Sequence, residues 1–464
     1  MRRRTLKELN DYLKLLVCVW LWEASAVCVI LSFYRMESEP NLLAFVSRLS
    51  FKIILAAFLL FACMSLLVRW YYSSLAKEGR FPFRFLLRWN IVPLILMITI
   101  AEAALRLFST DTLGETLLIN QSLGPRRLAA ESYFHTPKEA RYYDYDELLG
   151  WSASPNLQSS NGLYSTGDRG IRLSQTGITV SASRGACRIA LVGDSHTFGE
   201  ELKFEDTWSY LLKDYLPQPC QILNFGVGGH SVAQMYLRYM RDVRPSHPDM
   251  VIFSLSSHTA ARTMGVYGLN MFPSDHPWAQ PRFELRDHEL APINLPLPSL
   301  ETIANTRSMS DLPYIDYDRF YVPGNWELPR WQYMYNSYLF RLYVTWFPLW
   351  RTQYNGNSME AINHALLRSL LRTTESDGAT PVVLYLPDPY DYEEPHREMP
   401  SRRILRTSGI EYVDLQPCLD EIATGDRFIP NGGHYSLKGS VAITRCIVQS
   451  SPVRHNISHR TASE

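Results

Sequence analysis

Apolar positions follow two regimes along the chain. Up to about residue 108 they run almost continuously: Leu15 to Phe33, Ile53 to Val68 and Ile91 to Phe108 are each roughly as long as a bilayer crossing. The middle run is short, and the flanking Lys52 and Arg69 are long enough to reach back to an interface. Three transmembrane helices are expected. Arg2, Arg3, Arg4 and Lys7 precede the first run, and Lys77, Arg80, Arg84 and Arg88 separate the second from the third, so both segments are expected to face the cytoplasm. Three crossings then place everything after Phe108 on the far side, which in a bacterial inner membrane is the periplasm. The first run has no small-residue cleavage site, so the anchor is expected to stay. Within the third run Glu102 and Arg106 are four apart, share a helix face and are expected to pair.

Beyond the anchor (1–110) the pattern changes. Residues 111–186 are polar and turn-rich, with "YDELLGW" and "STGDRGIRLS" as their recognisable pieces, and read as a linker that ends in extended structure. From 187 to 450 short β-rich runs alternate with helical spacing. Arg188 to Gly193, Gln221 to Phe225, Met250 to Leu255, Val382 to Leu386 and Glu411 to Leu415 read as strands. Thr207 to Leu216, Val232 to Val243, Ser358 to Glu375 and Leu437 to Val448 read as helices. That alternation predicts an α/β domain, a parallel sheet with helices on both faces.

An insertion, 265–354, breaks the rhythm with Pro and aromatics, among them Trp278, Trp326, Trp331, Trp346 and Trp350, and with a hairpin-like "RFELRDHELAPINLPLP". It is expected to form a small core of its own over the sheet edge or the site mouth. Residues 451–464 read as a disordered tail.

Charge narrows the ligand. The 46 Lys and Arg balance 46 Asp and Glu, without basic clusters in the exported part, so a nucleic-acid partner is not expected. Cys18, Cys28 and Cys63 fall in the apolar runs, leaving Cys187, Cys220, Cys418 and Cys446 in the exported part. An even number in an oxidising compartment suggests two disulfides, Cys187 with Cys220 and Cys418 with Cys446. No CxxC or HExxH spacing occurs, and no metal or cofactor is expected.

The chemistry gathers at the strand ends. In an open parallel sheet, ligands bind beyond the carboxyl ends of the strands, where loops and helix N-termini converge. Ser195 ends the first such strand in "GDSHTFGE"; as a helix cap it would be chemically inert, as a nucleophile it needs a base and oxyanion donors. The second strand runs into "NFGVGGHS", whose final Ser231 stands where a dinucleotide fingerprint needs Gly. The third ends in "FSLSSHTAAR" with His258, and the last loop, "IPNGGHYSLKG", carries His434. A hydroxyl, glycine amides and two imidazoles on one edge are the parts for acyl transfer.

From Arg188 to Val448 the chain resembles the SGNH hydrolase (GDSL esterase/lipase) superfamily, and the region from "AEAALRLF" through "YDELLGW" resembles the lead-in of its membrane-anchored bacterial members. The resemblance implies a three-layer α/β/α sandwich on a five-stranded, flavodoxin-like parallel sheet, without metal or cofactor. It implies Ser195 as nucleophile, His434 as base, and the amides of Ser195 and Gly229 as oxyanion donors. Two blocks depart from it. His258 stands where the family has asparagine, and is expected to turn an N–H to the oxyanion instead. The usual Asp-x-x-His reads Asn431-Gly432-Gly433-His434, so the third member of a triad is open between Asn431, Asp426 and Asp388, or absent. The expected protein is an inner-membrane, periplasm-facing serine esterase taking an acyl group, most plausibly acetyl, from an envelope glycan or a small ester. An acyltransferase to such a glycan, and a non-catalytic glycan-binding scaffold, are the alternatives.

Overall fold

The structure, a computed structural model, describes residues 98–112, 115–118, 121–122, 142–175, 187–216, 219–271, 276–306, 311–321, 333–334, 336–346, 358–393, 396–430, 432–450 and 453. The first two apolar runs, Trp326, Trp331, Trp350, Asn431 and nearly all of the tail lie outside these. Among the described residues no helix is long and apolar enough to cross a membrane.

Two units are distinguished. The smaller takes in residues 98–110 and 336–346 among those described. Residues 98–108 are helical, and the expected Glu102–Arg106 pair forms at 2.8 Å. Glu102 also does something its spacing did not announce. It accepts hydrogen bonds from Ser337 Oγ, Tyr338 N and Leu339 N, each at 2.9 Å, and so serves the open N–H groups at the start of the helix Tyr338–Trp346.

The larger unit is built on a seven-stranded sheet. Its strands are β1 (Ser165–Thr166), β2 (Arg172–Leu173), β3 (Cys187–Val192), β4 (Cys220–Asn224), β5 (Met250–Leu255), β6 (Thr380–Tyr385) and β7 (Val413–Asp414), in the spatial order β7-β6-β5-β3-β4-β2-β1. The five strands from β3 to β7 are parallel, so the first of them lies inside the sheet with its successors spreading to either side, the expected flavodoxin-like order. The alternation along β3 explains the two covered faces. Ile189 and Leu191 pack with Trp208 and Leu212 of α2 (Trp208–Tyr215) and Ile443 and Ile447 of α7 (Leu437–Gln449). Ala190 and Val192 point the other way, into a core with Met235 of α3 (Val232–Arg238) and Leu370 of α5 (Met359–Ser376). The three layers follow directly.

β1 and β2 correct the linker reading of 111–186 over its described second half. They pair antiparallel to each other, and β2 pairs antiparallel to β4, so they extend the sheet by two strands too short to show a period of two. Ahead of them, "YDYD" and "GWSA" form a hairpin, Tyr143–Asp146 with Gly150–Ala153, whose Trp151 is wholly buried beside Val227, Phe198 and Trp278. Aromatic and turn-rich composition read as linker because each piece is only four residues long. The insertion has the expected core, with Val266, Tyr267, Leu297 and Ile315 together, and the expected hairpin, Phe283–Arg286 with Glu289–Pro292. Both disulfides form as the cysteine spacing suggested. Cys187 sits opposite Cys220 on adjacent strands, and Cys418 reaches Cys446 on α7.

Candidate active site

β3 ends at Val192, and the chain turns through Gly193 and Asp194 into a single helical turn, α1 (Ser195–Phe198). The cap of that turn is Asp194, not Ser195: its Oδ1 accepts from His196 N at 3.1 Å. The capping explanation for Ser195 is thereby removed. Its hydroxyl makes no hydrogen bond among the described residues, and the residue is half-buried.

Asp194 is itself wholly buried and heavily held. Its Oδ2 accepts from Thr259 Oγ1 and from the Arg262 guanidinium, each at 2.8 Å, and from Ser256 Oγ at 2.5 Å. Burial alone would push its carboxyl up, but Arg262 and these donors hold it down at about 2. Thr259 and Arg262 are the ends of α4 (Thr259–Arg262), which follows β5, so the third strand's "SSHTAAR" serves mainly to fix the turn that carries Ser195.

His434, on the last loop, packs against the residue that follows Ser195 and makes no hydrogen bond to Ser195 itself. Its ring lies 4.9 Å, centroid to centroid, from that of His196, the neighbour of Ser195 in the chain. Its Nδ1 lies 2.8 Å from Glu201 Oε2, and the same oxygen accepts from the amides of Gly433 and His434, both at 3.1 Å. On the other side, Nε2 is 3.6 Å from Glu200 Oε2. The imidazole is thus held between two carboxylates that both come from the segment following Ser195. Burial would lower its pKa, but the Glu201 hydrogen bond and the charges of Glu200, Glu201 and Asp194 leave it above the ordinary histidine value. Glu201 moves the opposite way, held low chiefly by its bond to His434. The two shifts agree on one ion pair.

Glu201 takes the position for which the sequence offered Asn431, Asp426 and Asp388. Asn431 lies outside the described residues. Asp426 turns away to Lys438 Nζ at 2.9 Å. Asp388 is buried against Ser257, whose Oγ donates to it, and burial raises its carboxyl. Neither bonds His434. Sequence reasoning missed Glu201 because it weighed only residues of the last loop and of the segment after the fourth parallel strand, not the segment that follows Ser195. One trace is local: Gly432 lets Glu201 come close, since a Cβ there would lie 2.6 Å from Glu201 Oε2 and push that side chain aside. Gly432→Ala is therefore expected to displace the Glu201–His434 pair and to lower kcat by roughly tenfold to a hundredfold with only a small change in Tm; steady-state kinetics and a melting curve check it.

The glycine loop after β4 keeps its predicted place. Gly228 N donates to Tyr143 Oη at 2.6 Å and is thereby occupied. Gly229, buried, with φ at 73° in the region where a side chain is strained, makes no amide hydrogen bond among the described residues; nor does the amide of Ser195. Two unspent donors remain on the loops in question. Ser231, where a phosphate loop would need glycine, caps α3 in a reciprocal pair with Gln234.

His258 differs from expectation. His258 Nδ1 lies 2.8 Å from Ser257 Oγ, which in turn bonds Asp388. Burial lowers the pKa of the imidazole. One of its two ring nitrogens is thus engaged by Ser257.

No protein-family model matches the chain, and no curated protein does. Solved structures do resemble it. A lipolytic protein of the G-D-S-L family from Desulfitobacterium hafniense is 12% identical over 56% of this chain and 98% of its own, with a TM-score of 0.30. A lipase/acylhydrolase from Enterococcus faecalis is 13% identical over 58% of this chain and 96% of its own, also at 0.30. An acetylxylan esterase from Geobacillus stearothermophilus is 14% identical over 57% and 94%, again at 0.30. These neighbours belong to the GDSL/SGNH kind that the sequence blocks resemble.

Proposed function

We propose that the protein is a serine esterase working through Ser195, His434 and Glu201. In this reading Ser195 Oγ attacks the ester carbonyl and passes its proton to His434 Nε2, which hands it to the departing alcohol. Water, deprotonated by the same nitrogen, then releases the acyl group from Oγ. The amides of Ser195 and Gly229 stabilise the oxyanion. Glu201 fixes the Nδ1–H tautomer and stabilises the imidazolium. The observation that carries the reading is the Glu201–His434 bond: a histidine oriented through Nδ1 by a carboxylate that follows, within one short segment, a serine not used as a helix cap.

The apolar runs and their charge bias support an inner-membrane anchor with the enzyme domain in the periplasm, and the two disulfides suit that compartment. An acetylated envelope glycan is the substrate class we favour. The runner-up, a transferase, differs only in which hydroxyl meets the acyl-enzyme.

A serine-directed fluorophosphonate tests the proposal. Wild-type protein is expected to label once, and Ser195→Ala not at all. An unreactive wild type, or label retained in Ser195→Ala, removes the esterase reading and leaves the non-catalytic scaffold.

A further inference from the structure

Glu200 lends its charge to His434 but takes no step of its own in the esterase chemistry. One of its oxygens is committed: Oε1 accepts from Tyr143 Oη at 2.5 Å and from Tyr142 Oη at 3.2 Å. The other, Oε2, accepts no hydrogen bond among the described residues and stands 3.6 Å from His434 Nε2, too far for a strong bond. The side chain retains 16% of its exposure, so it borders the site instead of being sealed behind it. Its direction is fixed by the lead-in hairpin, because the Tyr143 hydroxyl that holds Oε1 also accepts from Gly228 N at 2.6 Å.

We infer that Glu200 Oε2 is a specificity-determining acceptor for a hydroxyl on the alcohol side of the ester. The inference rests on the serine-esterase reading and deepens it. Nε2 must reach the oxygen of the departing alcohol to return the proton. An acceptor 3.6 Å from Nε2 is therefore placed beside the carbon next to that oxygen, where a 1,2-diol carries its second hydroxyl. A carboxylate oxygen has only acceptor capacity there, so it favours a donor and repels an anion. An ammonium would satisfy the same acceptor, so the selection is for a donor and against an anion. The substrate class that fits is an ester of one hydroxyl in a vicinal diol, as on a pyranose ring, with no negative charge on the neighbouring carbon.

The test uses four acetyl esters of a methyl pyranoside that carry hydroxyl, hydrogen, ammonium or carboxylate on the carbon beside the ester. Wild-type kcat/KM is expected to favour hydroxyl over hydrogen by roughly tenfold to a hundredfold, the worth of a hydrogen bond to a charged acceptor, with carboxylate poorest. Glu200→Ala should bring the hydroxyl-to-hydrogen ratio close to one, and Glu200→Gln should reduce it in part. Calorimetry gives a second readout in the Ser195→Ala protein, where adding Glu200→Ala should weaken binding of the hydroxyl ester about tenfold. A wild-type ratio near one, an unchanged ratio in Glu200→Ala, or an unaltered Kd would each overturn the inference. Failure is separable from failure of the parent reading: fluorophosphonate-labelled protein that hydrolyses hydroxyl and hydrogen esters equally sinks only the diol subsite, whereas unlabelled protein inert toward every ester sinks both.

Discussion

Glu201→Gln should lower kcat on an ester about ten-thousand-fold while leaving the fold intact, the loss seen when a serine triad's carboxylate is replaced by its amide. Glutamine keeps the length of the side chain and could still accept from the amides of Gly433 and His434. What it removes is charge. An amide can also present its NH2 to Nδ1, which would stabilise the tautomer with the proton on Nε2, and that nitrogen could no longer accept the serine proton. The pH profile separates this loss from a packing effect. His434 titrates above the ordinary histidine value in the intact site, so kcat/KM should rise with pH through a pKa above about 6.5 as the imidazole becomes a free base. Without the Glu201 charge the acidic limb should move to lower pH, even as its plateau falls. Asp426→Asn and Asp388→Asn should leave the position of that limb almost unmoved, since neither carboxylate bonds the histidine. A limb that stays in place in Glu201→Gln would dismiss Glu201 as the orienting group.

Stability follows from the same pair, with the two members acting in opposite directions. Glu201 has a depressed folded pKa, so its contribution is present above its unfolded value of about 4.3 and disappears as pH falls. His434 has a raised folded pKa, so its contribution is full below about 6.5 and is lost as pH rises through the folded value. The pair thus stabilises most between those limits, which lie on the acidic side of the range in which the neutral base can act. Stability and activity are expected to peak at different pH.

Much of the domain could be read from periodicity because its parallel strands are buried on both faces and its helices are amphipathic. β3, β4, β5 and β6 are each five or six residues long, enough for an apolar run to stand out. β1 and β2, of two residues each, carry no such signal; their place depends on pairing with β4, a contact that local sequence does not encode. The serine, the glycine loop and the last histidine were legible because each sits at the end of a recognisable strand or start of a helix. Glu201 was not, since its role depends on the "NGGH" loop closing over it from more than two hundred residues away. His258 shows the complementary failure. Its Nδ1 is engaged by Ser257, which Asp388 holds in turn, and Asp388 arrives from beyond β6.

Ser195→Ala and His434→Ala should each cost on the order of a million-fold in kcat, and the double variant should be hardly worse than either alone. Multiplicative losses are expected of groups that stabilise a transition state independently; these two share one proton, and a base with nothing to deprotonate contributes nothing. The same logic extends to Glu201. Its ten-thousand-fold cost is measured with the serine present, and in the Ser195→Ala background Glu201→Gln should change the residual rate by little. That residual, roughly a thousand-fold or more over water, would come from the Ser195 and Gly229 amides and from substrate binding. The Ser195 amide survives the alanine substitution because it belongs to the backbone. Gly229→Ala, strained at its φ of 73°, should therefore reduce the rate that Ser195→Ala leaves behind. A full multiplication of the Ser195 and His434 effects would mean that the two act on different steps, and the single-proton relay between them would have to be given up.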